Sequence, residues 1–178
     1  LGKDILVAPV AGERMQKPKQ TCYTAPVKAV FFDGTELAGE PIAEATYKTL
    51  DLELDNVPPT EGVPVYHFSA RFETRVKFEK DTELFLLCDD GATVYVDGRQ
   101  VFRDDKTHPA RLSPLCTVEG GREHSLTVEY FQAGGAAYCV LYYDAHEESK
   151  KSVYLPEGKW MDVFGGKVYL GGRSYARC

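Results

Sequence analysis

Leu84-Phe85-Leu86-Leu87-Cys88-Asp89-Asp90-Gly91-Ala92-Thr93-Val94-Tyr95-Val96-Asp97-Gly98 is the stretch that decides the fold. It divides into an apolar strand, a turn with two adjacent carboxylates, a second strand, and a second turn at Asp97-Gly98. Asp-Gly between alternating apolar residues is a strong hairpin signal, because Gly tolerates the positive φ of primed turns. The stretch predicts a hairpin with Val94 and Val96 turned inward and Thr93 and Tyr95 outward. Asp89 and Asp90 are expected at the rim of a sheet, facing water. Two readings of that pair are open. It is a solvated turn, or it is the hard-oxygen half of a calcium and sugar site.

The neighbouring segments repeat the period of two. Leu50, Leu52 and Leu54 alternate with Asp51, Glu53 and Asp55, which predicts a half-buried strand. Tyr66, Phe68, Ala70, Phe72, Thr74, Val76 and Phe78 share one parity, and His67, Arg71, Glu73, Arg75 and Lys77 lie on the other. No helical period fits, so a long strand or a bent pair with one wet face is expected. Residues 27–32 and the alternating residues 126–131 give further strands. Residues 137–143 form an apolar run suited to burial on both faces. Residues 11–25, 36–44 and 103–114 read as loops, and 115–118 as a short strand. Many short strands between Gly, Pro and Asp turns predict an all-β antiparallel sandwich.

The 178 residues are 43% hydrophobic and 12% aromatic, enough for a packed core, and carry a formal net charge of -6. That acidic balance argues against nucleic acid and against an anionic membrane as partners. No apolar run is long enough to span a bilayer. The chain opens at Leu1 without an initiator Met and reads as a piece of something longer; bacterial-type cytoplasmic and periplasmic settings both fit. Cys22, Cys88, Cys116, Cys139 and Cys178 are dispersed and odd in number, so free thiols are expected rather than a zinc site or a disulfide scaffold. The four histidines show no metal-ligand spacing, and no nucleophile elbow or phosphate loop occurs.

Phe68-Ser-Ala-Arg-Phe72, Leu87-Cys-Asp-Asp-Gly91, Val94-Tyr-Val-Asp-Gly98, Leu126-Thr-Val-Glu-Tyr-Phe131 and Leu141-Tyr-Tyr143, in that order, resemble the protective-antigen (PA-14) domain family. The resemblance implies a PA-14-like antiparallel β-sandwich over residues 26–144. The flanks resemble a different family. Asp4-Ile-Leu-Val-Ala-Pro-Val10, Val153-Tyr-Leu-Pro-Glu-Gly-Lys-Trp160 and Gly171-Gly-Arg173 look like the β-domain that follows the catalytic barrel in glycoside hydrolase family 31. The resulting expectation is three parts: a host stub and linker over 1–25, the module, and a linker and second stub over 145–178. The two stubs are expected to pair with each other, since the ends of an insert lie close together.

Among PA-14 relatives, fungal adhesins hold calcium with an Asp-Asp pair joined by a cis peptide, and the calcium binds sugar hydroxyls. The resemblance carries that role onto Asp89 and Asp90 as metal and sugar ligands. Ca²⁺ is a hard cation that takes six to eight oxygens, which suits carboxylates, carbonyls and hydroxyls. Where those lectins add an Asn from the loop after the Glu-Tyr-Phe strand, the nearest residue here is Gln132. Tyr95 and Tyr143 are candidate stacking surfaces for a sugar. The competing reading keeps Asp89 and Asp90 as turn formers and backbone caps.

The expected function is a non-catalytic carbohydrate-binding accessory module of a family 31 α-glycosidase, of α-glucosidase or α-xylosidase type. Its partners are an oligosaccharide or polysaccharide and the catalytic barrel of the same polypeptide. The alternative is a structural insert that packs on the barrel and shapes its pocket. The family's two catalytic carboxylates come from the barrel, so no residue here is assigned a catalytic role, including the Trp160-Met-Asp162 triplet. Adjacent residues on one turn are poorly placed to straddle a glycosidic bond, which argues against hydrolysis by Asp89 and Asp90.

Overall fold

The computed structural model of the chain describes residues 15–144, 151–161 and 168–177. They fall into two compact units, Arg14–Ala145 and a smaller one built from Leu1–Glu13 with His146–Cys178.

The larger unit holds eleven strands: β1 (Met15–Gln16), β2 (Val27–Asp33), β3 (Ala43–Tyr47), β4 (Asp51–Leu54), β5 (Phe68–Lys77), β6 (Thr82–Asp89), β7 (Gly91–Val96), β8 (Arg99–Asp104), β9 (Arg111–Val118), β10 (Glu123–Gln132) and β11 (Ala137–Asp144). They make two antiparallel sheets. One has six strands in the order β3-β2-β5-β10-β7-β8; the other has the order β1-β11-β6-β9, with β4 also paired to β11. The fold is an all-β antiparallel sandwich.

Alternation places the core. Phe68, Ala70, Phe72, Val76, Leu126, Val128, Tyr130 and Val94 face inward from the six-stranded sheet. Leu52, Leu84, Leu86, Cys88, Cys139 and Leu141 meet them from the other. Burying each Leu or Phe contributes about 1.5–3 kcal/mol, and the interleaved faces hold the two sheets together. The anticipated two-sided burial of β11 holds for Val140, which is 0% exposed although its neighbours Cys139 and Leu141 occupy the inner face. Cys88 and Cys139 are direct cross-strand partners and fully buried free thiols. Burial pushes the Cys88 thiol up to about 12.

Four expectations need correction. The Asp-Asp-Gly turn does not close a hairpin: β6 pairs with β9 and β11, while β7 pairs with β8 and β10. The chain changes sheets there. Residues 11–25 are not all linker, since Met15 and Gln16 pair with Asp144 and Tyr143, and Tyr23 enters the core. Residues 103–114 are not all loop: 103–104 end β8 and 111–114 begin β9, edge strands whose side chains carry too little apolar signal to be read as strand. An edge also accommodates Pro114, which has no N–H to give a ladder. Strand β3, another edge, was hidden for the same reason and begins at the end of residues 36–44, which read as irregular.

In the smaller unit β12 (Lys151–Leu155) pairs with β15 (Arg173–Arg177), and β13 (Lys159–Met161) with β14 (Val168–Leu170). The Trp160 indole donates to the Pro156 carbonyl at 2.8 Å. The N-terminal motif at residues 4–10, and Asp162, lie outside the described residues, as does the pairing anticipated between the two stubs.

Candidate functional site

The corner between the two sheets is built by Asp89, the last residue of β6, and Asp90, which leads into β7. The peptide between them is cis. Gly91 follows because there is no room for a side chain. A Cβ there would stand 2.4 Å from the Asp104 carbonyl and 2.4 Å from the Phe131 ring.

The two carboxylates have different surroundings. Asp90 is only 5% exposed, contrary to the expectation that both acids face water. Its Oδ1 accepts the His108 N–H at 3.2 Å, and its Oδ2 accepts the Ala133 N–H at 2.7 Å. One buried side chain thus ties the β8–β9 loop to the β10–β11 loop. Asp89 is half-buried and accepts the Ala110 N–H. Burial, then the charge of Asp90, pushes its carboxyl above the usual range, against the opposing pull of Ala110 and His108. Among the described residues, neither acid has a Lys or Arg within ion-pair distance. Nearby, Arg111 pairs with Asp104 instead, and the His108 imidazole Nε2 stands 3.4 Å from the same carboxylate.

Gln132 lies directly under the corner, fully buried. Its Nε2 donates to the Gly135 and Ala136 carbonyls at 3.1 and 3.2 Å. The Tyr130 hydroxyl sits between the Asp89 carbonyl and the Gln132 Oε1, 2.8 Å from the latter, and shares its proton between them. The Gln132 amide therefore shapes the loop that meets Asp90 rather than reaching out from it. Tyr95 is on the outer face of the six-stranded sheet, 3.5 Å from Glu129 through its hydroxyl. Five residues along β7 put it roughly 16 Å from Asp90. The structure brings Asp89, Asp90 and Gln132 together and leaves Tyr95 apart. Tyr143 packs inward against Phe78.

Tyr130, His108 and Ala133 were not found from the sequence. Two of them contribute backbone N–H groups, which any residue carries, so side-chain chemistry gave no signal. Tyr130 lies within the Glu-Tyr-Phe motif, and its inward parity was the available clue. A separate open cleft of about 530 Å³ lies on the outer face of the six-stranded sheet, lined by Lys28, Val30, Glu44, Thr46, Arg71 and Glu73. It does not include the acid pair. Among the described residues, no group of three or more His, Cys, Asp or Glu side chains converges as a metal centre.

The chain is thus an all-β module of two antiparallel sheets with an acid pair at the corner where it changes sheets. The PA14 domain family model matches residues 25–157, and the chain belongs to that family. No curated protein matches it in sequence. Among solved structures, an anti-sigma factor domain-containing protein is similar at 16% identity and a TM-score of 0.62, over 72% of this chain and 44% of that one. The PA14 domain of the MpAFP antifreeze protein is similar at 10% identity and 0.55, over 81% and 90%. A β-glucosidase from Kluyveromyces marxianus, solved with glucose, is similar at 14% identity and 0.51, over 68% and 17%. These likenesses are of fold. The chain spans less than half the length of the first of them.

Proposed function

We propose that this chain is a non-catalytic carbohydrate-binding module that serves a family 31 α-glycosidase, with the sugar held at the Asp89–Asp90 corner. PA14 is a carbohydrate-binding type of domain and typically non-catalytic. The observation that carries the reading is the acid pair itself: two carboxylates side by side, half-buried and buried, with no neutralising Lys or Arg among the described residues. Such a pair suits a calcium ion. Asp89 and Asp90 would hold it, and water, carbonyls and sugar hydroxyls would complete its oxygen shell. The ion supplies charge to offset the repulsion between the acids and to polarise sugar hydroxyls. Tyr130 and Gln132 support the corner from below by fixing the Asp89 carbonyl and the 133–136 loop.

The test is a calorimetric titration with xyloglucan and α-glucan oligosaccharides, in calcium and in chelator. Calcium-dependent heat with the wild type, lost in Asp89→Asn, is the expected result. No heat and no thermal shift under either condition would remove the reading.

A second reading, an insert that packs on the barrel, is favoured by the outer face of the five-stranded sheet. Phe85, Leu87 and Tyr142 are half-buried there, and Leu112 is 38% exposed. Removing the module from the parent enzyme would then raise KM for long substrates and leave short ones unaffected.

A further inference from the structure

Strand register builds a row of side chains across the outer face of the five-stranded sheet, at the level of the corner. Tyr138 on β11 is the partner of Asp89 on β6 and of Glu53 on β4. Directly opposite side chains in an antiparallel pair have Cβ atoms about 4.5–5.5 Å apart. The order across the face is Glu53, Tyr138, Asp89. The neighbouring row of Leu52, Cys139 and Cys88 faces the core, which fixes Tyr138 as outward. Tyr138 is half-buried, Glu53 is exposed, and the Tyr138 hydroxyl has no hydrogen-bond partner among the described residues. Lys17 stands at the Glu53 end, with its Nζ 2.8 Å from Asp51 and also bonded to Glu53.

We infer that Tyr138 is the stacking platform of a saccharide subsite. The inference rests on the reading of the Asp89–Asp90 corner as a carbohydrate site, and it names the surface and the sugar class. A pyranose with equatorial hydroxyls presents a flat C–H face to the phenol ring and directs its hydroxyls outward around the edge. Those edge hydroxyls meet carboxylate acceptors on both sides, Asp89 at one end and Glu53 at the other, with the Lys17 ammonium as a donor beside Glu53. Charge selects the class further. Asp51 and Glu53 lie at the end of the row away from the corner, and Lys17 offsets one of their two charges, so this end stays anionic even where an ion at the corner offsets Asp89 and Asp90. An acidic sugar would be repelled and a neutral one accepted, so the ligand is a neutral gluco- or xylo-type pyranose rather than a uronate.

The experiment titrates the full chain, in calcium, with a xyloglucan heptasaccharide, maltotriose and trigalacturonate, using wild type, Tyr138→Ala, Tyr138→Leu and Tyr138→Phe. The expected result is binding of a neutral oligosaccharide by wild type. Tyr138→Phe keeps it within about twofold, because stacking uses the ring and not the hydroxyl. Tyr138→Ala and Tyr138→Leu each weaken it about tenfold, the upper range for an aromatic contact beyond simple burial. Trigalacturonate binds at least about tenfold more weakly than the neutral ligand. If Tyr138→Ala fails to fold, the Leu variant, which keeps apolar bulk, decides the matter. Wild-type binding that survives both substitutions, or a preference for trigalacturonate, overturns the platform and leaves the corner as a sugar site. Absence of any wild-type binding overturns the carbohydrate reading together with the platform.

Discussion

Asp89 and Asp90 are adjacent and chemically identical in sequence, yet their surroundings set them to different tasks. Asp90 meets backbone N–H groups 18 and 43 positions away, and both of its oxygens are engaged. Asp89 meets one, and it feels the charge of its neighbour. Because burial and Asp90 raise the folded pKa of Asp89, its contribution to stability is fully present below the unfolded value of about 3.9 and is lost as pH rises through the raised folded value. At neutral pH in chelator, Asp89→Asn should therefore raise the melting temperature, since its amide oxygen can still accept the Ala110 N–H. Near pH 3 the variant and wild type should melt together. Thermal denaturation at both pH values checks this, and an unchanged or lower melting point at pH 7 would contradict it. The sequence marked the pair as unusual. It was silent about the difference, because backbone donors from distant loops leave no trace in residue type.

At the scale of elements, two Asp-Gly steps that look alike do different things. Asp97 and Gly98 have φ of 50° and 76°, and they close β7 onto β8 as the hairpin the sequence predicts. Asp90 and Gly91 carry the chain from one sheet to the other. Gly91 is there for close approach rather than for positive φ, so Gly91→Ala should cost about 2 kcal/mol or more, read from urea denaturation. The hairpin has its own electrostatic lock. Burial opposes ionisation of Asp97, but His124, the Ser125 N–H and Arg122 outweigh it and hold the carboxyl below its usual range. That stability is present above the unfolded pKa near 3.9 and is lost as pH falls through the depressed folded value. Asp97→Asn should lower the melting temperature at pH 7 and give a flatter acid limb between about pH 4 and pH 2. Periodicity located β5, β6, β7, β10 and β11, whose inner faces are continuous and apolar. It missed β3, β8 and the first half of β9, because edge strands bury less and alternate weakly.

For the molecule as a whole, the sandwich class was legible because one parity of each central strand is apolar and the other polar. Which strand joins which sheet was not, since a sheet change and a hairpin begin with the same local turn chemistry. The larger unit has its own core, and its first and last strands are paired with each other. A fragment spanning 14–145 should unfold in a single cooperative calorimetric transition, with the two sheets melting together; two resolved transitions would show that they are separable. The pairing of Met15 with Asp144 has a consequence for descent. The chain enters and leaves this unit on neighbouring strands, at Cα positions roughly 5 Å apart. A recipient protein needs only to open one surface turn by that width to accept the whole sandwich, and its own backbone continues on the far side almost where it stopped. Such a unit can be spliced between unrelated frameworks without either one refolding around the other.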